Sequence, residues 1–137
     1  MEGKFLEKEL SYKLVGCFYK VRNLYGVGHR EKFYDDVLAE VLESENLSFV
    51  EKPRVPLYSI LSGKQIGYNI PDKLVEDKII VEIKAKSFFT KDDINQATEY
   101  LKITECEILY LVNFSESEFR PRRFIFTNDR KPFLNVK

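Results

Sequence analysis

Residues 108–114, Ile-Leu-Tyr-Leu-Val-Asn-Phe, are apolar at nearly every position and show no polar–apolar alternation. A strand of this kind is covered on both faces, so it belongs in the interior of a sheet. Everything upstream must supply that cover. From about residue 9 to 25, Leu10, Leu14, Cys17, Phe18, Val21 and Leu24 recur at three- and four-residue steps, the stripe of an amphipathic helix. Gly26 and Gly28 punctuate its end, and a second helix is expected over about 30–45, with Phe33, Val37, Val41 and Leu42 inward. Its outer face is expected to carry Asp35, Asp36, Glu40 and Glu43.

The period then shortens. Residues 48–60 read as an edge strand or two short ones, because Pro53 and Pro56 remove ladder donors. After the turn Ser62-Gly63-Lys64, residues 65–75 read as one strand, and the turn Glu76-Asp77-Lys78 leads into a strand over 79–86. Thr90 with Asp93 three residues on has the form of a helix N-cap, opening a helix to about Ile103. Residues 122–127 form a last strand, and the final ten residues are expected to fray. The order gives an α/β chain with a mixed sheet, read as one continuous domain over 1–137 with its core at about 9–127.

The charge balance bounds the partners. Twenty-two lysines and arginines cancel twenty-two aspartates and glutamates, which argues against coating nucleic acid through bulk charge. The distribution is uneven, with acids concentrated between Glu31 and Glu51 and bases between Arg120 and Lys137. Two solvated faces of opposite sign account for this, and so does a basic strip beside an acidic site. Two cysteines, Cys17 and Cys106, exclude a disulfide scaffold, a zinc ribbon and an iron–sulfur cluster. Apolar runs such as Ile79-Ile80-Val81 are far shorter than the ~20 residues of a membrane span. With no charged-then-apolar leader at Met1, a cytoplasmic protein that does not engage membranes is expected.

The chemistry-bearing stretch is Pro71-Asp72 followed by Glu82-Ile83-Lys84. Strand alternation places Ile79, Val81, Ile83 and Ala85 on one face and Ile80, Glu82, Lys84 and Lys86 on the other. A three-residue turn at 76–78 pairs Val75 with Ile79, and Asp72 then falls opposite Glu82. Two carboxylates so placed repel, and a divalent cation would reverse that repulsion by taking oxygen ligands from both. A neighbouring lysine could orient a metal-bound water or stabilise charge on a phosphate under attack. Glu-x-Lys on a strand is also an ordinary exposed salt-bridging pair, and spacing alone favours that plainer reading.

Pro71-Asp72, Glu82 and Lys84 resemble the signature of the PD-(D/E)XK nuclease superfamily. Gln96-Ala-Thr-Glu-Tyr100 on the following helix resembles the QxxxY element of its RecB-like nucleases. Gly28-His-Arg-Glu31-Lys-Phe-Tyr34 is similar to the element that names the GxxExxY proteins. The resemblance spans about residues 9–126 with the elements in order. It implies a restriction-endonuclease-like core, a mixed β-sheet flanked by helices, and magnesium- or manganese-dependent hydrolysis of phosphodiesters, in DNA rather than RNA. By the same resemblance Asp72 and Glu82 are metal ligands and catalytic residues, with the Ile83 carbonyl and Glu31 as further ligands. Lys84 is then the catalytic lysine, and Gln96 and Tyr100, four apart and so on one helix face, contact the substrate phosphate or brace the lysine. Three positions depart from the family pattern: Ile70 stands where an arginine usually precedes the aspartate, and His29 and Arg30 replace apolar residues.

Other candidates carry less. His29, the only histidine, reads as a loop residue, Cys17 as core and Cys106 as a loop or strand-edge residue. The glycines at 26 and 28 lack a third partner and a preceding strand, which disfavours dinucleotide binding. Arg120, Arg122 and Arg123 could grip phosphates or form a solvated edge. The alternative to an enzyme is a module that keeps the nuclease fold, does little chemistry, and binds nucleic acid or protein, with a homodimer or partner protein supplying the capture surface.

Overall fold

Two helices open the chain because their apolar residues fall on single stripes. In the computed structural model, which describes residues 5–135, α1 (Lys8–Tyr25) buries Leu14, Cys17, Phe18 and Val21. Gly26 ends it with φ 67°, in the left-handed region that favours glycine. Helix α2 (Glu31–Ser44) buries Tyr34, Val37, Leu38, Val41 and Leu42. Phe33, expected inward, is only half-buried and stacks on His29 at 4.1 Å. Asp35, expected on the outer face, is buried instead, because its carboxylate meets the ammonium of the fully buried Lys73.

The main sheet has the order β1 (Phe49–Glu51), β4 (Lys73–Val75), β5 (Ile79–Lys84), β6 (Ile108–Asn113), β7 (Arg122–Ile125). The first three strands and the last pair run antiparallel, whereas β5 and β6 run parallel. Parallel neighbours need a long crossover, which α3 (Lys91–Lys102) provides. Thr90 and Asp93 form the reciprocal cap at its start, each accepting from the other's backbone N–H. Strand β6 is buried at every position, as its unbroken apolar run predicts. Its Ile108, Tyr110 and Val112 pack with Val75, Ile79, Val81 and Ile83 under α1 and α2. Its Leu109 and Leu111 pack with Ile80 against Ala97 and Leu101 of α3. The result is a mixed sheet flanked by helices.

Two further expectations differ from the structure. Residues 65–75 are not one strand but two, β3 (Gln65–Asn69) and β4, interrupted at Ile70-Pro71-Asp72. Pro71 has no N–H to continue a ladder, so the chain changes sheet there. Strand β3 pairs with β2 (Val55–Tyr58) as a separate ribbon, whereas β4 joins the main sheet. The chain after β7 also does not simply fray. Two 3₁₀ turns, Asn128–Arg130 and Pro132–Asn135, bring Phe133 into a stack on Tyr58 at 4.8 Å. Lys131 is fully buried there and donates to the carbonyls of Thr104 and Cys106. The last two positions of that expectation, 136 and 137, lie outside the described residues. Among the described residues no helix is long and apolar enough to cross a membrane.

Candidate active site

The β4–β5 hairpin sets the site. Its turn places Glu76 and Asp77 in left-handed backbone, φ 53° and 57°, and the Glu76 carboxylate is anchored by the Ser48 N–H at 2.6 Å and hydroxyl at 3.0 Å. Val75 pairs with Ile79 and Lys73 with Val81. One residue further, Asp72 meets Glu82, as the turn length predicts. The Asp72 N–H donates to Glu82 Oε1 at 3.0 Å, and the Ile83 N–H donates to Asp72 Oδ2 at 2.7 Å. Each carboxylate is thus braced by the backbone that presents the other.

Glu82 and Lys84 point away from Ile83 and toward α3. They line a cleft of about 340 Å³ together with Asn69, Asp93, Gln96 and Tyr100. Gln96 and Tyr100, placed on one helix face by their spacing, are therefore brought to the same cleft as Glu82 and Lys84. The Tyr100 hydroxyl is buried without a hydrogen-bond partner. Its pKa is raised by burial first, then by the charges of Cys106 and Glu82. A buried donor of this kind has a hydrogen bond to offer a ligand.

Glu31 stands exposed on the first turn of α2, outside the Asp72–Glu82 pair. The acid of α2 linked to Asp72 is Asp35, one turn on. Lys52 Nζ lies 2.9 Å from Asp72 Oδ1 and 3.5 Å from Asp35 Oδ2, joining the two. Burial pulls the Lys52 pKa down, but the hydrogen bond and charge of Asp72, followed by Asp35, outweigh it and leave it raised. Among the described residues no three Asp, Glu, His or Cys side chains gather closely enough to hold a metal ion. The remaining candidates serve the fold. Tyr34 closes the α1–α2 turn by donating to the Gly26 carbonyl at 2.7 Å. Arg123 donates to the Leu6 carbonyl at 2.7 Å, and Arg122 lies 4.8 Å from the Phe89 ring centroid. Cys17 is core, and His29 is an exposed loop residue.

Sequence reasoning missed Lys52 and Asn69, and took Asp93 only as a cap. Lys52 and Asn69 carry no local signal, since their positions depend on where β1 ends and where the β2–β3 ribbon docks. The Asp93 carboxylate pairs with Lys86 Nζ at 2.5 Å on the cleft wall.

The donor set fits a divalent cation. Asp72 and Glu82 are hard oxygen donors, and Glu82 is pushed up to about 7, first by burial and then by the charge of Asp72. The Asp72 N–H, Lys84 and Lys52 offset this only in part. A model of the PD-(D/E)XK nuclease superfamily matches residues 8–124. The chain belongs to this superfamily. No curated protein and no solved structure shows significant similarity to the chain. PD-(D/E)XK nucleases typically use divalent metals and act on nucleic acid.

The Glu82 shift has a consequence for the PD-(D/E)XK fold itself. Between an ordinary carboxylate pKa and about 7, the folded protein holds a proton that the unfolded chain has released. Stability therefore falls as pH rises through that window, and the full cost is present above it. In EDTA at pH 8, Glu82→Gln is expected to be more stable than the parent by on the order of 3 kcal/mol, with the advantage gone near pH 4.5. Denaturant titrations at the two pH values check this, and magnesium at pH 8 should stabilise only the parent.

Proposed function

We propose that the chain is a cytoplasmic, divalent-metal-dependent nuclease of the GxxExxY kind, one nuclease-like domain that hydrolyses phosphodiester bonds in DNA rather than RNA. The observation that carries this reading is the register of β4 and β5. It sets Asp72 beside Glu82 with Lys84 two residues on, facing the cleft that Gln96 and Tyr100 share.

The roles follow from the chemistry. Asp72, Glu82 and the Ile83 carbonyl would hold magnesium or manganese, with Glu31 the additional ligand or water-holder that the resemblance implies. The bound ion supplies Lewis acidity and a water of lowered pKa. Lys84 places its ammonium beside the carboxylate pair, where it stabilises the charge that grows on a phosphate under attack. Gln96 and Tyr100 donate hydrogen bonds to phosphate oxygens and hold the backbone in line.

One observation favours a second reading. The Lys52 ammonium already neutralises Asp72, as in a module that keeps the fold and binds nucleic acid or a partner without cleaving. A homodimer or partner protein would then supply the capture surface that a net charge of zero does not.

The deciding experiment is cleavage of labelled single- and double-stranded DNA and RNA in magnesium, manganese or EDTA, beside Asp72→Ala. Cleavage that needs metal and vanishes in the variant is the expected result. Cleavage surviving in Asp72→Ala would trace to a contaminant, and none by either protein would favour the binding module.

A further inference from the structure

Lys52 is tied to Asp72 at both of its ends. It follows directly on β1 in left-handed backbone, φ 49°, a region that a residue with a Cβ occupies only when its surroundings hold it there. Its backbone N–H donates to the Asp72 carbonyl at 2.9 Å. Its Nζ then reaches Asp72 Oδ1, also at 2.9 Å. The other Asp72 oxygen is occupied by the Ile83 N–H. Both oxygens of this carboxylate therefore have a partner, one neutral and fixed in the backbone, the other charged and on a flexible stem.

A second station lies within reach. Asp35 Oδ2 is 3.5 Å from the same Nζ. The Asp35 carboxylate cannot follow a moving lysine, because its Oδ1 is held by the buried Lys73. Lys52 itself is 55% exposed, so its head can shift without opening a hole in the core. A dication on Asp72 would repel an ammonium bonded to the same oxygen, and the fixed charge of Asp35 offers that ammonium another carboxylate.

We propose that Lys52 is an exchangeable counter-ion of the Asp72–Glu82 site, neutralising Asp72 in the metal-free protein and moving to Asp35 when a divalent cation binds. This rests on the reading of Asp72 and Glu82 as cation ligands. The exchange keeps an acidic pair tolerable before the ion arrives, and it sets the affinity by making the ion compete with an internal cation.

Calorimetric titration of the whole chain with manganese tests this, using the parent, Lys52→Gln, Lys52→Arg and Asp72→Asn, with metal-free thermal unfolding of each. Lys52→Gln is expected to bind manganese on the order of tenfold more tightly than the parent, since a repelling charge has gone. It should melt lower without metal and gain more from it. Lys52→Arg keeps the charge and should bind like the parent. Binding by Lys52→Gln where the parent shows none would support the exchange equally. Unchanged or weaker binding by Lys52→Gln, with binding lost in Asp72→Asn, would overturn the counter-ion and leave the cation site standing. Binding by Asp72→Asn equal to the parent, or none by any of the four, would remove the site and the exchange together. Should Lys52→Gln fold poorly, the lysine ε-carbon resonance of Lys52 in the parent decides: it should shift and saturate with magnesium, and a resonance that stays put overturns the exchange.

Discussion

Lys84→Ala is expected to lower phosphodiester cleavage by about a thousandfold while divalent-ion binding is retained. The argument starts from which lysines around the cleft are already committed. Lys52 is paired with Asp72, Lys86 with Asp93 and Lys102 with Glu99. Lys84 lines the cleft and forms no ion pair among the described residues. It also sits two residues from Glu82 on the same strand face, so its ammonium is held near the carboxylates without being neutralised by them. A charge held in this way is available to a phosphate whose own charge grows in the transition state. Half-buried on its strand, Lys84 contributes little packing, and the alanine variant should stay within about 1 kcal/mol of the parent in stability. Cleavage rates and manganese titrations on the same preparations separate the two effects. Full activity in Lys84→Ala would sink the assignment, and loss of metal binding would show that the lysine shapes the carboxylate pair instead.

What the sequence makes legible is whatever depends on short spacing. The turn at 76–78 fixes the pairing of Val75 with Ile79, and two-residue alternation then carries Asp72, Glu82 and Lys84 into place. Four-residue spacing does the same for Gln96 and Tyr100, and the unbroken apolar run announces β6. Longer-range features leave weaker traces. An acid on a helix reads as solvated, which places Asp35 on the outer face beside Asp36. Yet Asp35 lies three and seven residues before Leu38 and Leu42, both fully buried, and so on the buried stripe by spacing. Its partner Lys73 is thirty-eight residues away, and no local pattern joins them. The docking of Phe133 on Tyr58 is hidden for the same reason. The break at Pro71 was readable from the missing N–H, although the sheet that each half would join was not.

That hidden ion pair carries the largest stability effect. Lys73 is fully buried at the start of β4, donating to the Asp35 carbonyl at 3.0 Å, the Asp35 carboxylate, and Glu51 Oε1 at 2.8 Å. Methionine would fill the space of the lysine stem but strand the buried Asp35 carboxylate, with only Lys52 nearby at 3.5 Å. Breaking one side of a buried pair in this way costs about 3–5 kcal/mol. For Lys73→Met the lower end is expected, about 3 kcal/mol, which lowers the melting temperature by about 10 °C in a domain of this size. Replacing both partners, as Lys73→Met with Asp35→Leu, removes the stranded charge and should recover most of the loss. Thermal and denaturant unfolding of the two variants check this, and a cost below about 1 kcal/mol for Lys73→Met would show that Asp35 is hydrated rather than paired. The consequence reaches the site through one peptide bond. Lys73 directly follows Asp72, so the pair that pins β4 to α2 also holds the candidate metal ligand against Glu82. Lys73→Met should therefore weaken manganese binding as well as the fold, and the double variant should restore stability more completely than metal affinity, because it also removes the carboxylate that receives Lys52.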